Sequence, residues 1–82
     1  MRENWVNGLY SEYENLYQAN QYEKALLPIW HIAMIYIETY GHQMPVIPYL
    51  EKEAILLDKI GRKEESQTGR SLIKDIRLGK IK

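Results

Sequence analysis

Apolar residues in the stretch 4–18 fall at Trp5, Val6, Leu9, Tyr10, Tyr13, Leu16 and Tyr17, in steps of three and four. A period of about 3.6 keeps them on one side and predicts an amphipathic helix. Asn4 stands where a cap for that helix is expected, and Asn20 follows where a left-handed residue would end it. A second stripe predicts a helix over residues 22–40. It comprises Tyr22, Ala25, Leu26, Ile29, Ile32, Ala33, Tyr36, Ile37 and Tyr40. Trp30, Met34 and Ile35 widen it around the cylinder, as in a helix buried on more than one side. Pro28 lies inside, where it removes a hydrogen bond and crowds the preceding turn. The apolar period continues across it, so a bend over residues 24–28 is expected rather than a break.

Residues 41–45, Gly-His-Gln-Met-Pro, read as a loop, because a glycine ends a helix well and a proline starts one. Pro48 also suits a first turn. A third helix is predicted to about residue 60, with Ile47, Leu50, Ala54, Leu57 and Ile60 on one side and Gly61 ending it. The fourth, over residues 62–78, is polar in its first half and contains Gly69, which costs about 1 kcal/mol against alanine. Leu72, Ile73, Ile76 and Leu78 give its second half an apolar side, and residues 79–82 are expected to fray. No stretch alternates in the manner of a strand, so the fold class is all-α with four helices.

The pattern repeats. Asn20-Gln21-Tyr22-Glu23-Lys24-Ala25 reappears in altered form as Gly61-Arg62-Lys63-Glu64-Glu65-Ser66, an offset of 41 residues. At that offset Leu9 meets Leu50, Glu12 meets Glu53, Leu16 meets Leu57, Ile32 meets Ile73 and Ile35 meets Ile76. Helical hairpins repeated at such a spacing bury their faces against neighbours, as in an α-solenoid.

These residues resemble tetratricopeptide repeats, specifically the long kinesin-light-chain type. Leu9, Tyr13 and Leu16 stand at packing positions of a unit's first helix. Asn20, Tyr22 and Ala25 stand at the turn residue, the aromatic and the small residue of its second. Ile29 and Ile32 continue the core stripe, and Gly41 and Pro45 match the loop between units. One unit spans about residues 5–45 and a degenerate one about 46–78, within a single domain of antiparallel hairpins. In the second unit Lys63, Ser66 and Arg70 depart from the aromatic, small and apolar types of the pattern.

The resemblance implies a non-catalytic scaffold or adaptor that binds a peptide or helix in a groove lined by its first helices. The groove positions would be Asn7, Tyr10, Glu14, Tyr17 and Gln18, with Glu51, Ile55, Asp58 and Lys59 from the third helix. Tyr10, Glu14 and Tyr17 share a face, and tyrosines suit interface anchors. The acidic members favour a neutral or basic apolar segment as ligand. Two units alone leave an open end, so a homodimer or an obligate hetero-complex is expected. Trp30, Met34 and Ile37 are candidate interface residues, or equally ordinary core.

Composition narrows the alternatives. With 45% apolar and 27% charged residues the chain matches folded globular domains, so disorder is not expected over most of its length. Eleven basic and eleven acidic residues cancel, which disfavours nucleic acid and anionic membranes as partners. A basic C-terminal part keeps one alternative open, a helical protein that binds nucleic acid or an acidic surface. It holds Arg62, Lys63, Arg70, Lys74, Arg77, Lys80 and Lys82. There is no cysteine, which excludes disulfides and thiolate metal sites and is compatible with the cytoplasm. The apolar run 25–37 is too short to span a bilayer.

Enzyme signals fail. His31, beside Trp30, is expected to be partly buried, and His42 to be solvated in its loop. Neither has a second ligand at metal spacing, so no cofactor is implied. Ser11, Ser66 and Ser71 lack a nucleophile motif. The pairs Glu12–Glu14, Glu51–Glu53 and Glu64–Glu65 read as solvated helix faces. Gly61 and Gly69 lack the strand that a phosphate loop needs.

Overall fold

The computed structural model describes the backbone of residues 2–80 and the side chains of residues 5–80. Four helices follow one another as α1 (Arg2–Gln18), α2 (Tyr22–Tyr40), α3 (Ile47–Lys59) and α4 (Lys63–Arg77). A single 3-10 turn, Met44–Val46, precedes α3. No strand occurs among the described residues, and the protein is all-α. Two boundaries differ from expectation. The first helix already runs at Arg2, so Asn4 lies inside it rather than capping it. At the other end residues 79 and 80 close α4 with hydrogen bonds. The Lys80 N–H donates to the Asp75 carbonyl at 2.9 Å and the Gly79 N–H to that of Ile76 at 3.1 Å, with Gly79 at φ 71°. These are the paired bonds of a Schellman motif, which satisfy carbonyls the helix end leaves free. Residues 81–82, the rest of the expected frayed tail, lie outside the described residues.

The same motif closes α1 and α3, and it does so at matching repeat positions. Asn20 at φ 60° and Gly61 at φ 81° take the left-handed step. The Gln21 N–H donates to Leu16 at 2.8 Å, and the Arg62 N–H to Leu57 at 2.9 Å. Gln21 (φ −91°, ψ 62°) and Arg62 (φ −94°, ψ 66°) then enter α2 and α4 with nearly the same backbone. The local chemistry explains the match. Only glycine, and less readily asparagine, enters this region without a large steric penalty. Both turns carry one of the two.

Each helix packs on the next in chain order, α1 on α2, α2 on α3 and α3 on α4. The Cα envelope measures 36 × 35 × 12 Å, so the molecule is a slab little thicker than one helix. The core consequently forms two patches. In one, Tyr13 of α1 meets Ala25, Ile29 and Ile32 of α2 and Leu56 of α3. In the other, Ala33 of α2 meets Val46, Ile47 and Leu50, with Ile73 and Ile76 of α4 behind them. Helix α2 continues through Pro28, whose ring is fully buried. Burying each of Ile29, Ile32 and Leu56 contributes on the order of 2 kcal/mol.

Helix α4 forms over its polar half as well, and the departures noted in the sequence resolve into two kinds. Ser66, 1% exposed, occupies the slot that Ala25 fills in the first hairpin. Its small side chain admits close approach of α3, and its hydroxyl lies 3.5 Å from Arg70 Nη1. Lys63 and Arg70, in the slots of Tyr22 and Ile29, are exposed. Arg70 reaches back to α3 instead, with Nη2 2.6 Å from Asp58 Oδ2.

Candidate functional site

The seven tyrosines of the chain share a single line of ring contacts. Tyr22 stands edge-on to Tyr17 at 5.3 Å between centroids, Tyr17 is tilted to Tyr13 at 5.8 Å, and Tyr13 to Tyr10 at 5.6 Å. The line then crosses to α3, with Tyr10 edge-on to Tyr49 at 6.4 Å, and returns to α2, with Tyr49 to Tyr36 at 4.6 Å and Tyr36 to Tyr40 at 5.7 Å. Spacings of three and four residues in α1 put Tyr10, Tyr13 and Tyr17 on one edge. Tilted and edge-on pairs at such distances bring the positive rim of one ring to the negative face of another.

Two lysines of α3 complete the arrangement. Lys52 Nζ lies 5.9 Å from the centroid of Tyr10, and Lys59 Nζ lies 5.7 Å from Tyr17 and 5.0 Å from Tyr22. These are cation–π distances. The Tyr49 hydroxyl donates to Tyr36 Oη at 3.3 Å. Burial, and then that hydrogen bond, push the Tyr49 phenol up to about 12. Burial, then neighbouring Tyr17, also raises Tyr13. Absence of phenylalanine from the chain now has a physical role: each ring on this line keeps a polar tip for solvent or a neighbour while its body joins α1, α2 and α3.

The residues expected in one groove separate into two places. Tyr10, Glu14, Tyr17 and Gln18 gather with Tyr13 and Lys52 around a shallow hollow of about 200 Å³. Lys59 belongs to the same edge through its tyrosine contacts, and Asn7 is exposed on α1. Glu51 and Ile55 instead line a larger groove between α3 and α4, of about 530 Å³. Its floor is the buried Ala54 and Ile73, and Ile55 (43% exposed) and Leu78 (58%) form apolar rims. Arg70, Lys74 and Arg77 stand along the α4 side. Asp58 sits at the edge, held by Arg70, while Glu51 is held by Arg77 at 2.9 Å. Of the residues α4 contributes to this groove, Arg70, Lys74 and Arg77 stood out in the sequence as part of a basic stretch and Ile73 and Leu78 as an apolar side, but nothing there joined them to α3. Their 41-residue relation to Ile29, Ile32, Ala33, Tyr36 and Ile37 of α2 is a further mark.

Trp30, Met34 and Ile37 do not form one patch. Trp30 is exposed and lines a hollow with Leu26, Leu27 and Glu53, whereas Ile37 packs on the Ala33 core. Met34 is half-buried. His31 is exposed beside Trp30, at 5.3 Å between rings, and not partly buried as expected, because α2 turns it away from both core patches. His42 is half-buried rather than solvated. Glu53 is not on a solvated face either. It is half-buried, and burial, then nearby Glu65, raise its carboxyl above the ordinary value of 4.5. Among the described residues no group of three or more His, Asp and Glu is placed to hold a metal ion.

Nor is any described helix long and apolar enough to cross a membrane. A scan against protein-family models, a search of curated proteins and a search of solved structures each give no match to the chain.

Proposed function

We propose that this chain is a non-catalytic scaffold of tetratricopeptide-like hairpins that binds a protein segment in the groove between α3 and α4. The observation that carries the reading is the groove itself, where a buried apolar floor of Ala54 and Ile73 lies between exposed Ile55 and Leu78. Exposed apolar surface flanked by charge is the anatomy of a protein contact. The matched turns at Asn20 and Gly61 support the repeat reading. The tyrosine edge serves this proposal as support, since its rings are engaged with one another and with lysines and hold α3 in place.

Binding of nucleic acid through the basic C-terminal part is the weaker reading. Arg62, Arg70 and Arg77 are each paired with a carboxylate, those of Glu65, Asp58 and Glu51. Paired cations offer little net charge to a phosphate backbone. The test is a comparison of three variants in co-purification from the native extract. Ile55→Glu should lose a specific protein partner, while the Tyr10→Phe and Tyr17→Phe double variant keeps it. Affinity for a random oligonucleotide at low salt, abolished by removing Lys74, Arg77 and Lys80, would overturn the proposal, as would retention of the partner by Ile55→Glu.

A further inference from the structure

Shifted back by one repeat, the groove between α3 and α4 falls on a surface that is already occupied. Ala54 falls on Tyr13, Ile73 on Ile32, Lys74 on Ala33, Arg77 on Tyr36 and Leu78 on Ile37. In the first hairpin those positions lie in the two core patches, beneath Val46, Ile47, Leu50, Tyr49 and Leu56. The groove is therefore the second hairpin's copy of the seat in which the first hairpin holds α3. A seat of this shape takes one helix, lying alongside both members of the hairpin.

The chemistry of the two seats differs on both sides, and on the α3 side Tyr10, Tyr13, Glu14 and Tyr17 become Glu51, Ala54, Ile55 and Asp58. The floor stays small or apolar, as Ala54 and Ile73. The α4 side has exchanged Ile29, Ala33 and Tyr36 for Arg70, Lys74 and Arg77. Glu51 and Asp58 hold Arg77 and Arg70, and among the described residues Lys74 is in no ion pair. A helix seated here meets apolar surface under its centre and, along the α4 flank, Lys74 between two arginines already held by Asp58 and Glu51.

A second copy of this chain fits poorly through its α1 or through the same groove. The α3 residues that touch the first seat include Tyr49, Lys52 and Leu56. One repeat back, α1 carries Gly8, Ser11 and Asn15, all exposed. A copy offering α1 would bring polar and small groups where α3 brings bulk. Two copies facing each other through this groove would oppose their Lys74 side chains, while Arg70 and Arg77 of each stay held by Asp58 and Glu51. Like charges placed together cost several kcal/mol in a contact region.

We infer that the α3–α4 groove receives one amphipathic helix of a partner protein, with an apolar stripe over Ala54, Ile55, Ile73 and Leu78 and an acidic flank toward Arg70, Lys74 and Arg77. This rests on the reading of the groove as the binding surface and adds the class of partner and its orientation. In α3's own case the seated helix touches Tyr10 and Tyr13 of α1 and Ala33 of α2, so the expected recognition is helix-in-groove with anchors three and four apart.

The experiment uses the full chain and two designed 18-residue helical peptides with the same leucine stripe, one with glutamates on a single flank and one with lysines there. Fluorescence anisotropy of labelled peptide gives affinity, and amide shifts of the isotope-labelled chain locate the site. The glutamate peptide should bind at least tenfold more tightly, with shifts at Ala54, Ile55, Ile73, Lys74 and Leu78. A Lys74→Glu and Arg77→Glu double variant should reverse that preference while its helical content is unchanged. Equal binding of both peptides, or binding of neither, overturns the inference. Shifts confined to Tyr10, Tyr17 and Lys52 also overturn it, yet leave the scaffold reading standing on another surface. Sedimentation showing a dimer that Ile55→Glu dissociates would assign the groove to a second copy and overturn the partner helix.

Discussion

Leu56 and Ile55 are neighbours of similar size and hydropathy, yet the structure gives them opposite fates. Leu56 is fully buried against Tyr13, Ala25, Ile29 and Ile32, whereas Ile55 is 43% exposed on the groove rim. Replacing Leu56 by alanine removes its outer carbons from the centre of the α1–α2–α3 contact. Buried leucine-to-alanine changes cost about 2.7–5 kcal/mol, more where the surroundings cannot close the cavity. A slab one helix thick can relax on its open faces, so about 3 kcal/mol is expected here. A domain of 82 residues has a total stability of about 4–12 kcal/mol at ordinary per-residue values. The loss is thus between a quarter and most of it. Urea unfolding followed by helical circular dichroism would read a midpoint lower by about 3 M, at a slope near 1 kcal/mol/M for a chain of this size. Ile55→Ala should change stability by less than about 0.5 kcal/mol, since it creates no enclosed cavity. Comparable losses for the two variants would refute the helix register on which both the core and the groove depend.

Three further outcomes follow from particular contacts. Gly61→Ala should cost about 1–2 kcal/mol in the same urea assay, because φ is 81° there while a new Cβ meets nothing within 4 Å; a neutral result would mean that the turn is not left-handed. Glu53 has a raised pKa in the folded state, so its own contribution to stability is greatest below the ordinary value of 4.5 and falls as pH rises through the folded value. Glu53→Gln should therefore stabilise the protein at pH 7 and lose that advantage below about pH 4, checked by thermal midpoints across that range. Tyr49 holds its proton up to about 12, so the folded state loses stability as pH rises above 10.0, and Tyr49→Phe should remove the last tyrosine to ionise in an absorbance titration. The same substitution removes one hydrogen bond to Tyr36 and should cost about 0.5–1.5 kcal/mol at neutral pH.

Sequence alone determined where the helices lie and where they turn. Periodicity located the four helices to within a few residues, because each buries a stripe and a stripe is written in the spacing of apolar side chains. Asn20 and Gly61 marked the two hairpin turns, since few other residues enter the left-handed region without strain, and their separation carried the repeat. The start of α1 was misplaced because an asparagine is as compatible with a helix interior as with a cap. At Gly79 and Lys80 the helix closes through hydrogen bonds between residues three and five positions apart, which the apolar spacing did not mark.

Only the tertiary structure decided which apolar residues go inside. The side read for the third helix, Ile47, Leu50, Ala54, Leu57 and Ile60, left out Leu56, which contact with Tyr13 and Ile29 buries completely. It also decided that the tyrosines of three helices form one line, a fact about side chains far apart in the chain. Finally, it decided which charges are spent. Arg70 and Arg77 look like free cations in the sequence, but packing of α4 on α3 brings Asp58 and Glu51 within hydrogen-bonding distance of them. Periodicity records what each helix needs to bury; which neighbour meets that need is settled by three-dimensional proximity, which a local pattern does not encode.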